Sequence, residues 1–291
     1  MDSKELLKKV RKIEIKTRSL SQNIFAGEYH TAFKGRGVVF SEVREYLPGD
    51  DVRDIDWNVT ARQNKPYVKV YEEDRELTML LLIDVSNSED FGATGSAKRD
   101  MMAEIAATLA FSSIANNDKV GVIFFSDRIE KFIPPKKGKS HILLIIREII
   151  DLEPQGHGTD IDMALQFMNN AIKKRCSAFL LSDFIDNSNY YKSMSVANRK
   201  HELAAIQVFD ERDAKLPDVG LIRMKDLESD EQRWVDTSAK EVRKAYEKHG
   251  YARLQKISST TTKCGVDYIS IRTDGDFVSK LLGMFRRRSL R

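Results

Sequence analysis

Three separated segments bring hard oxygen donors that could share a cation. "LLIDVSNS" carries Asp84, Ser86 and Ser88 on alternate positions behind an apolar run. "GHGTD" carries Thr159 at the entry to an amphipathic stretch. "FLLSDF" carries Asp183 behind a second apolar run. No thiolate or imidazole is needed. Such a set selects Mg2+, with Mn2+ as the alternative, over zinc or copper. Two carboxylates would neutralise the ion, hydroxyls and water would fill further positions, and one position would stay open. The acidic side chain of a partner is its natural occupant. Each residue also has a plainer role. Asp84 can end a turn with Ser86 and Ser88 as local caps, and Thr159 can open a helix as part of a Thr-x-x-Asp capping box. Placement favours the shared site. In an open parallel sheet, ligands bind outside the carboxyl ends of the strands where the strand order reverses.

That placement requires a sheet of the right kind, and the chain reads as one. "LTMLLLIDV", "KVGVIFFSD", "CSAFLLSDF" and "ELAAIQVFD" are short apolar runs suited to strands buried on both faces. Helical stretches lie between them: "SAKRDMMAEIAATLAFSSIANND", "SHILLIIREIIDL" and "GTDIDMALQFMNNAIKK". "RIEKFIPPKKG" reads as an edge strand ended by Pro134 and Pro135. The alternation from residue 77 to about 210 predicts a mostly parallel α/β sheet flanked by helices. Beyond it, "GLIRMKDLES" and "QRWVDTS" read as paired strands. "AKEVRKAYEKHGYARLQKISSTT" reads as a long helix interrupted by Gly250, followed by a strand, "GVDYISIRT", and a last short helix. Upstream, residues 2–20 read as a charged helix, and "VVFSEVREY" and "PYVKVYEED" as strands joined through a Pro48-Gly49 turn. The expected division is an N-terminal helix/strand extension over 1–75 and an α/β domain over 76–291.

Composition narrows the function classes. With 48 basic against 44 acidic residues the net charge is +4, too small to mark a nucleic-acid binder. Two cysteines, Cys176 and Cys264, stand far apart in no metal-like spacing, which fits a reducing compartment. The charged N-terminus has no signal-peptide core, and no apolar run approaches the roughly 20 residues that span a bilayer. The expectation is a cytoplasmic protein without stable membrane insertion.

The pattern resembles known families at two levels. Residues from about Leu77 to Asp210 resemble a von Willebrand factor A domain, and "DVSNS", Thr159 in "GTD" and Asp183 in "LSDF" match the five positions of its metal-ion-dependent adhesion site. The longer stretch "RGVVFSEVREYLPGDDVRDIDWNVTARQNKPYVKVYEED" is similar to the signature of the domain of unknown function 58 family, which carries such an A domain. The resemblance implies a Rossmann-like sheet, bound Mg2+ and a protein that binds rather than catalyses. It also implies association with a MoxR-type AAA+ ATPase in chaperone-like maturation, metal insertion, or stress, envelope and aerotolerance functions. One position departs from the pattern: Asn87 stands where the adhesion motif often has glycine. Asn is among the residues most tolerant of positive φ, so the loop can keep its shape.

The segment "PGDDVRDIDWNVTAR" predicts a salt-bridged knot of Asp50, Asp51, Asp54 and Asp56 with Arg53 and Arg62, and Trp57 filling an apolar slot. The same residues could instead form a contact surface for the ATPase or its client. His30 and His157 lack ligand spacing. Two further functions compete with the binding module. One is a metal-dependent phosphatase or nuclease, weakened by the absence of a second acid beside Asp84 and of Lys or Arg within the crevice motifs. The other is a scaffold whose metal site is silent. No Gly-x-x-x-x-Gly-Lys-Ser/Thr loop occurs, so any ATP hydrolysis would come from a partner.

Overall fold

The computed structural model describes residues 37–63, 65–74, 77–86, 97–225 and 232–290, together with 11, 13–15 and 17. The predicted helix over 2–20 therefore lies mostly outside the described residues, as do His30, Asn87 and Ser88. Residues 34–76 form one compact unit; residues 1–33 group with 77–291 in the other.

In the smaller unit, β1 (Gly37–Glu45) pairs antiparallel with β2 (Tyr67–Asp74), and a helix, α1 (Trp57–Gln63), lies between them in sequence. In place of the predicted knot with Arg53 and Arg62, the described residues show separate pairs with other cations. Arg44 grips Asp50 through two bonds of 2.7 Å, and Lys69 lies 3.6 Å from Asp56. Asp51 and Asp56 spend their carboxylates on backbone N–H groups, at Arg53 and at Asn58 and Val59. Trp57 is 67% exposed and fills no slot within its own unit. It stands at the first turn of a helix that buries none of its residues, so no apolar face draws the indole inward.

The larger unit holds a six-stranded sheet. Along the chain its elements are β3 (Thr78–Asp84), α2 (Ala97–Ala115), β4 (Lys119–Phe125), β5 (Ile129–Lys136), α3 (Lys139–Asp151), α4 (Ile161–Ala171), β6 (Ser177–Ser182), α5 (Tyr191–Lys200) and β7 (Glu202–Phe209). A separate hairpin follows, β8 (Leu221–Lys225) with β9 (Gln232–Asp236); then come α6 (Lys240–Lys263), β10 (Asp267–Arg272) and α7 (Phe277–Ser289). The strand order is β10-β7-β6-β3-β4-β5, parallel except at β5. The expected mostly parallel, helix-flanked α/β fold is what the chain adopts.

Alternation along each strand sends side chains to two cores. Leu81, Ile83, Val122, Phe124 and Leu181 pack with α2, α3 and α7 on one face. Leu80, Leu82, Ile123 and Leu180 pack with α4, α5 and α6 on the other. Because both faces are covered, the strands read as unbroken apolar runs. At the β5 edge, Pro134 and Pro135 lie opposite a register slip around Gly121, where a Cβ would come within 2.8 Å of the Pro135 ring. No helix among the described residues is long and apolar enough to cross a membrane.

Gly250 does not interrupt α6, which runs unbroken through it. The glycine is buried, and a Cβ there would stand 2.6 Å from the Cα of Ala214. Glycine costs a helix interior about 1 kcal/mol relative to alanine. Here the bare Cα is what lets α6 close on the turn after β7. Gly250→Ala is therefore expected to lose about 1–3 kcal/mol net, because overpacking against a fixed backbone outweighs the gain in helix propensity. A fall in the urea midpoint at unchanged slope would show it; an unchanged or higher midpoint would contradict the close packing.

Candidate metal centre

Strands β3 and β6 are neighbours, and Ile83 pairs with Leu181. The sheet's order reverses here, since β4 lies on one side of β3 and β6 on the other. Asp84 thus ends its strand beside Ser182, with Asp183 one residue further.

Asp84 is almost wholly buried, and among the described residues its hydrogen bonds come from hydroxyls and an amide. One carboxylate oxygen accepts the Ser86 amide at 3.0 Å. The other accepts the Ser182 hydroxyl at 2.6 Å and the Thr159 hydroxyl at 3.4 Å. Thr159 also donates to Ser86 Oγ at 2.8 Å. Three of the five predicted donors, Asp84, Ser86 and Thr159, therefore converge; Ser88 lies outside the described residues.

Thr159 is available for this because it does not cap α4. Asp160 is the N-cap and accepts from the Met163 amide at 2.9 Å. The expected Thr-x-x-Asp capping box is absent: Asp162 bonds Ser193 and Gln166 instead. The loop carrying Thr159 is pinned from two sides. The Asp160 amide donates to the Ser126 carbonyl, and the Ile161 amide to the Asp186 carboxylate. Just upstream, the Gln155 and Gly156 amides donate to Glu130. Gly156 lies so close to Ser126 and Asp127 that a Cβ would fall 2.1 Å from the Asp127 carboxylate. Burial pushes the Glu130 carboxyl up, but the bonds from Ser126, Gly156 and Gln155 outweigh it and hold the group below its ordinary value.

Asp183 reaches the crevice differently. One oxygen accepts the Ile185 amide at 2.9 Å, and the other accepts the ammonium of Lys98 at 2.8 Å. Lys98 is 0% exposed and also lies 2.9 Å from Asp213. So Asp183 is not reserved for a metal: part of its charge is already met from within the chain. The next residue, Phe184, is buried at φ 60°, a left-handed backbone that a bulky side chain rarely adopts. Its amide donates to Ser182 Oγ at 2.9 Å, which holds the sharp exit from β6.

Burial raises the Asp84 carboxyl, and the nearby Asp183 charge raises it further, to about 7; the Ser182 and Ser86 bonds only partly offset this. An acid destabilised in its charged form and ringed by hydroxyl oxygens fits a hard cation, which would relieve the charge and use those oxygens. Asp84, Ser86 and Thr159 would hold it. Asp183 has both oxygens engaged, which suits a role through water. Among the described residues no three His, Cys, Asp or Glu side chains form a metal-binding group.

Sequence reasoning missed Ser182, Lys98 and Asp213. Ser182 was visible as the polar end of an apolar run, in register with Asp84. Lys98 stands four residues before Met102 and seven before Ile105, which places a cation on the buried stripe of α2.

Comparison with known proteins places the chain among relatives. The family described as "Protein of unknown function DUF58" matches residues 42–256. An uncharacterized protein of Mycobacterium tuberculosis is 30% identical over 284 residues, covering 97% of this chain and 89% of the relative. Among solved structures, an aerotolerance-related membrane protein from Bacteroides fragilis aligns over 74% of this chain and 98% of its own, with 14% identity and a TM-score of 0.47. Proximal thread matrix protein 1 from the mussel byssus, solved with zinc occupying its MIDAS motif, aligns over 46% of this chain and 38% of its own, with 20% identity and a TM-score of 0.35.

Proposed function

The chain belongs to the DUF58 family, and from that premise we propose that it is a protein-binding module whose crevice holds a divalent cation, Mg2+ or Mn2+. The ion completes its coordination with an acidic side chain of a partner. The partner in this reading is a MoxR-type AAA+ ATPase or the client of one, met in the cytoplasm. One observation carries the proposal. Thr159, remote in sequence, sets its hydroxyl on both Ser86 and Asp84 while the neighbouring Asp160 does the capping. A hydroxyl needed only for helix initiation would not be placed so.

Binding is favoured over catalysis by what surrounds the crevice. Lys98 enters it from outside the motifs, yet it is fully buried between two carboxylates and offers nothing to a phosphate. A Cys–His contact exists elsewhere, Cys176 Sγ to His201 Nδ1 at 3.3 Å. There burial pushes the thiol up to about 12 and holds the imidazole down at about 4, the reverse of an activated nucleophile.

Titration calorimetry with Mg2+ and Mn2+ tests the metal, and pull-down with and without chelator tests the bridge. Thr159→Val should weaken metal binding by about tenfold with the fold intact, in the range seen when a supporting metal contact is lost. Chelator should release the captured partner. Capture that survives both chelation and Thr159→Val would defeat the reading.

A further inference from the structure

We propose that Asp213 is a positioning residue of the metal centre: the ammonium of Lys98 is a fixed second cation that competes with the metal for Asp183, and Asp213 shares that ammonium so that Asp183 can serve the metal. This rests on the reading of the crevice as a divalent-cation site.

The cluster is built for charge exchange. Asp84, Asp183 and Lys98 are buried, and the Asp213 side chain is 9% exposed. Among the described residues, three carboxylates against one ammonium leave two negative charges when all are ionised, equal and opposite to one divalent ion. Lys98 divides itself almost evenly, 2.8 Å from Asp183 and 2.9 Å from Asp213. A buried ion pair contributes little stability beyond that of an apolar pair of similar volume, so retention of a charged triad calls for another reason.

Asp213 is held as a rigid anchor. Its carboxylate oxygen that faces Lys98 also accepts the Asp210 amide at 2.9 Å, closing a capping box over the turn Glu211–Asp213. Arg253 of α6 donates to its carbonyl at 2.9 Å, and Tyr246 donates to the carbonyl of Arg212 at 3.1 Å. Ala214 sits directly against Gly250. The anchor therefore does not follow the ammonium; the ammonium sits where the anchor and Asp183 balance.

The consequence is a pair of opposite effects. Asp213→Asn shifts more of the ammonium charge onto Asp183 and should weaken Mg2+ and Mn2+ binding by tenfold or more. Lys98→Met frees Asp183 and Asp213 from their shared cation and should tighten binding by a similar factor. Glu211→Gln removes an equal charge from the exposed neighbour that faces Arg272, and should leave affinity within about twofold. Titration calorimetry on the full chain reads all three, with far-UV circular dichroism as the check of folding. A purely structural triad would weaken metal binding in both the Asp213 and Lys98 variants, or in neither, and either pattern overturns the proposal. If Asp213→Asn does not fold, the sign of the Lys98→Met effect decides alone. Wild-type chain that takes up neither ion sinks the metal reading and this inference together. Wild-type uptake with Asp213→Asn unchanged sinks the inference only.

Discussion

Asp84→Asn should lose Mg2+ affinity by about 100-fold or more, and yet make the metal-free chain more stable. Mutations of a buried, hydrogen-bonded residue normally destabilise. Here burial and the Asp183 charge raise the acid to about 7, so its ionised form is carried at a cost. An acid raised in the folded state imposes none of that cost below its unfolded pKa near 3.8 and all of it above its folded one. Asn keeps the shape, can accept from the Ser86 amide, and can turn its own N–H groups toward Ser182 Oγ. In chelator at pH 8 the variant should therefore gain about 2–4 kcal/mol, an advantage that fades toward pH 4. Saturating Mg2+ should invert the order, because only the wild type is stabilised by ligand. Thermal melts in chelator and in Mg2+ read both effects. An Asp84→Asn chain that melts below wild type in chelator at pH 8 would rule out the strained-acid account.

Lys98→Met should produce the largest loss of stability. It leaves Asp183 and Asp213 buried without their shared cation, and removing one partner of a buried ion pair costs about 3–5 kcal/mol. For a body of this size that is a fall in melting temperature on the order of 10 °C. Divalent cation should recover part of it, so the Mg2+-induced rise in melting temperature should be larger in the variant than in wild type. A shift of less than about 2 °C on substitution would mean that the two carboxylates find other partners or shed their charge by taking up protons.

The fold was readable where burial dominates. β3, β4, β6 and β7 are covered on both faces, so their sequences are continuous apolar runs that polar residues bound cleanly. α5 was missed because it buries only Ser193, Met194 and Ala197, too little to write a periodic stripe into "YKSMSVANRK". α1 was missed because it buries nothing. Gly250 was misread because local propensity sees only the cost of glycine in a helix, and not the backbone of Ala214 that requires it. At the site, Asp84 and Thr159 were legible as polar residues at element ends. Their actual partners were not, since Ser182 and Lys98 reach the crevice through strand register and helix rotation rather than through a motif. Trp57 finds no apolar slot within its own unit: an aromatic residue advertises burial, but only neighbours can supply it.

Pro134 and Pro135 have a consequence beyond their own strand. Neither carries an amide hydrogen, so the outer margin of β5 shows an incoming peptide an interrupted row of donors. A second molecule cannot zip onto that flank by continuing the ladder. The β5 border is in this way blunted against edge-to-edge pairing.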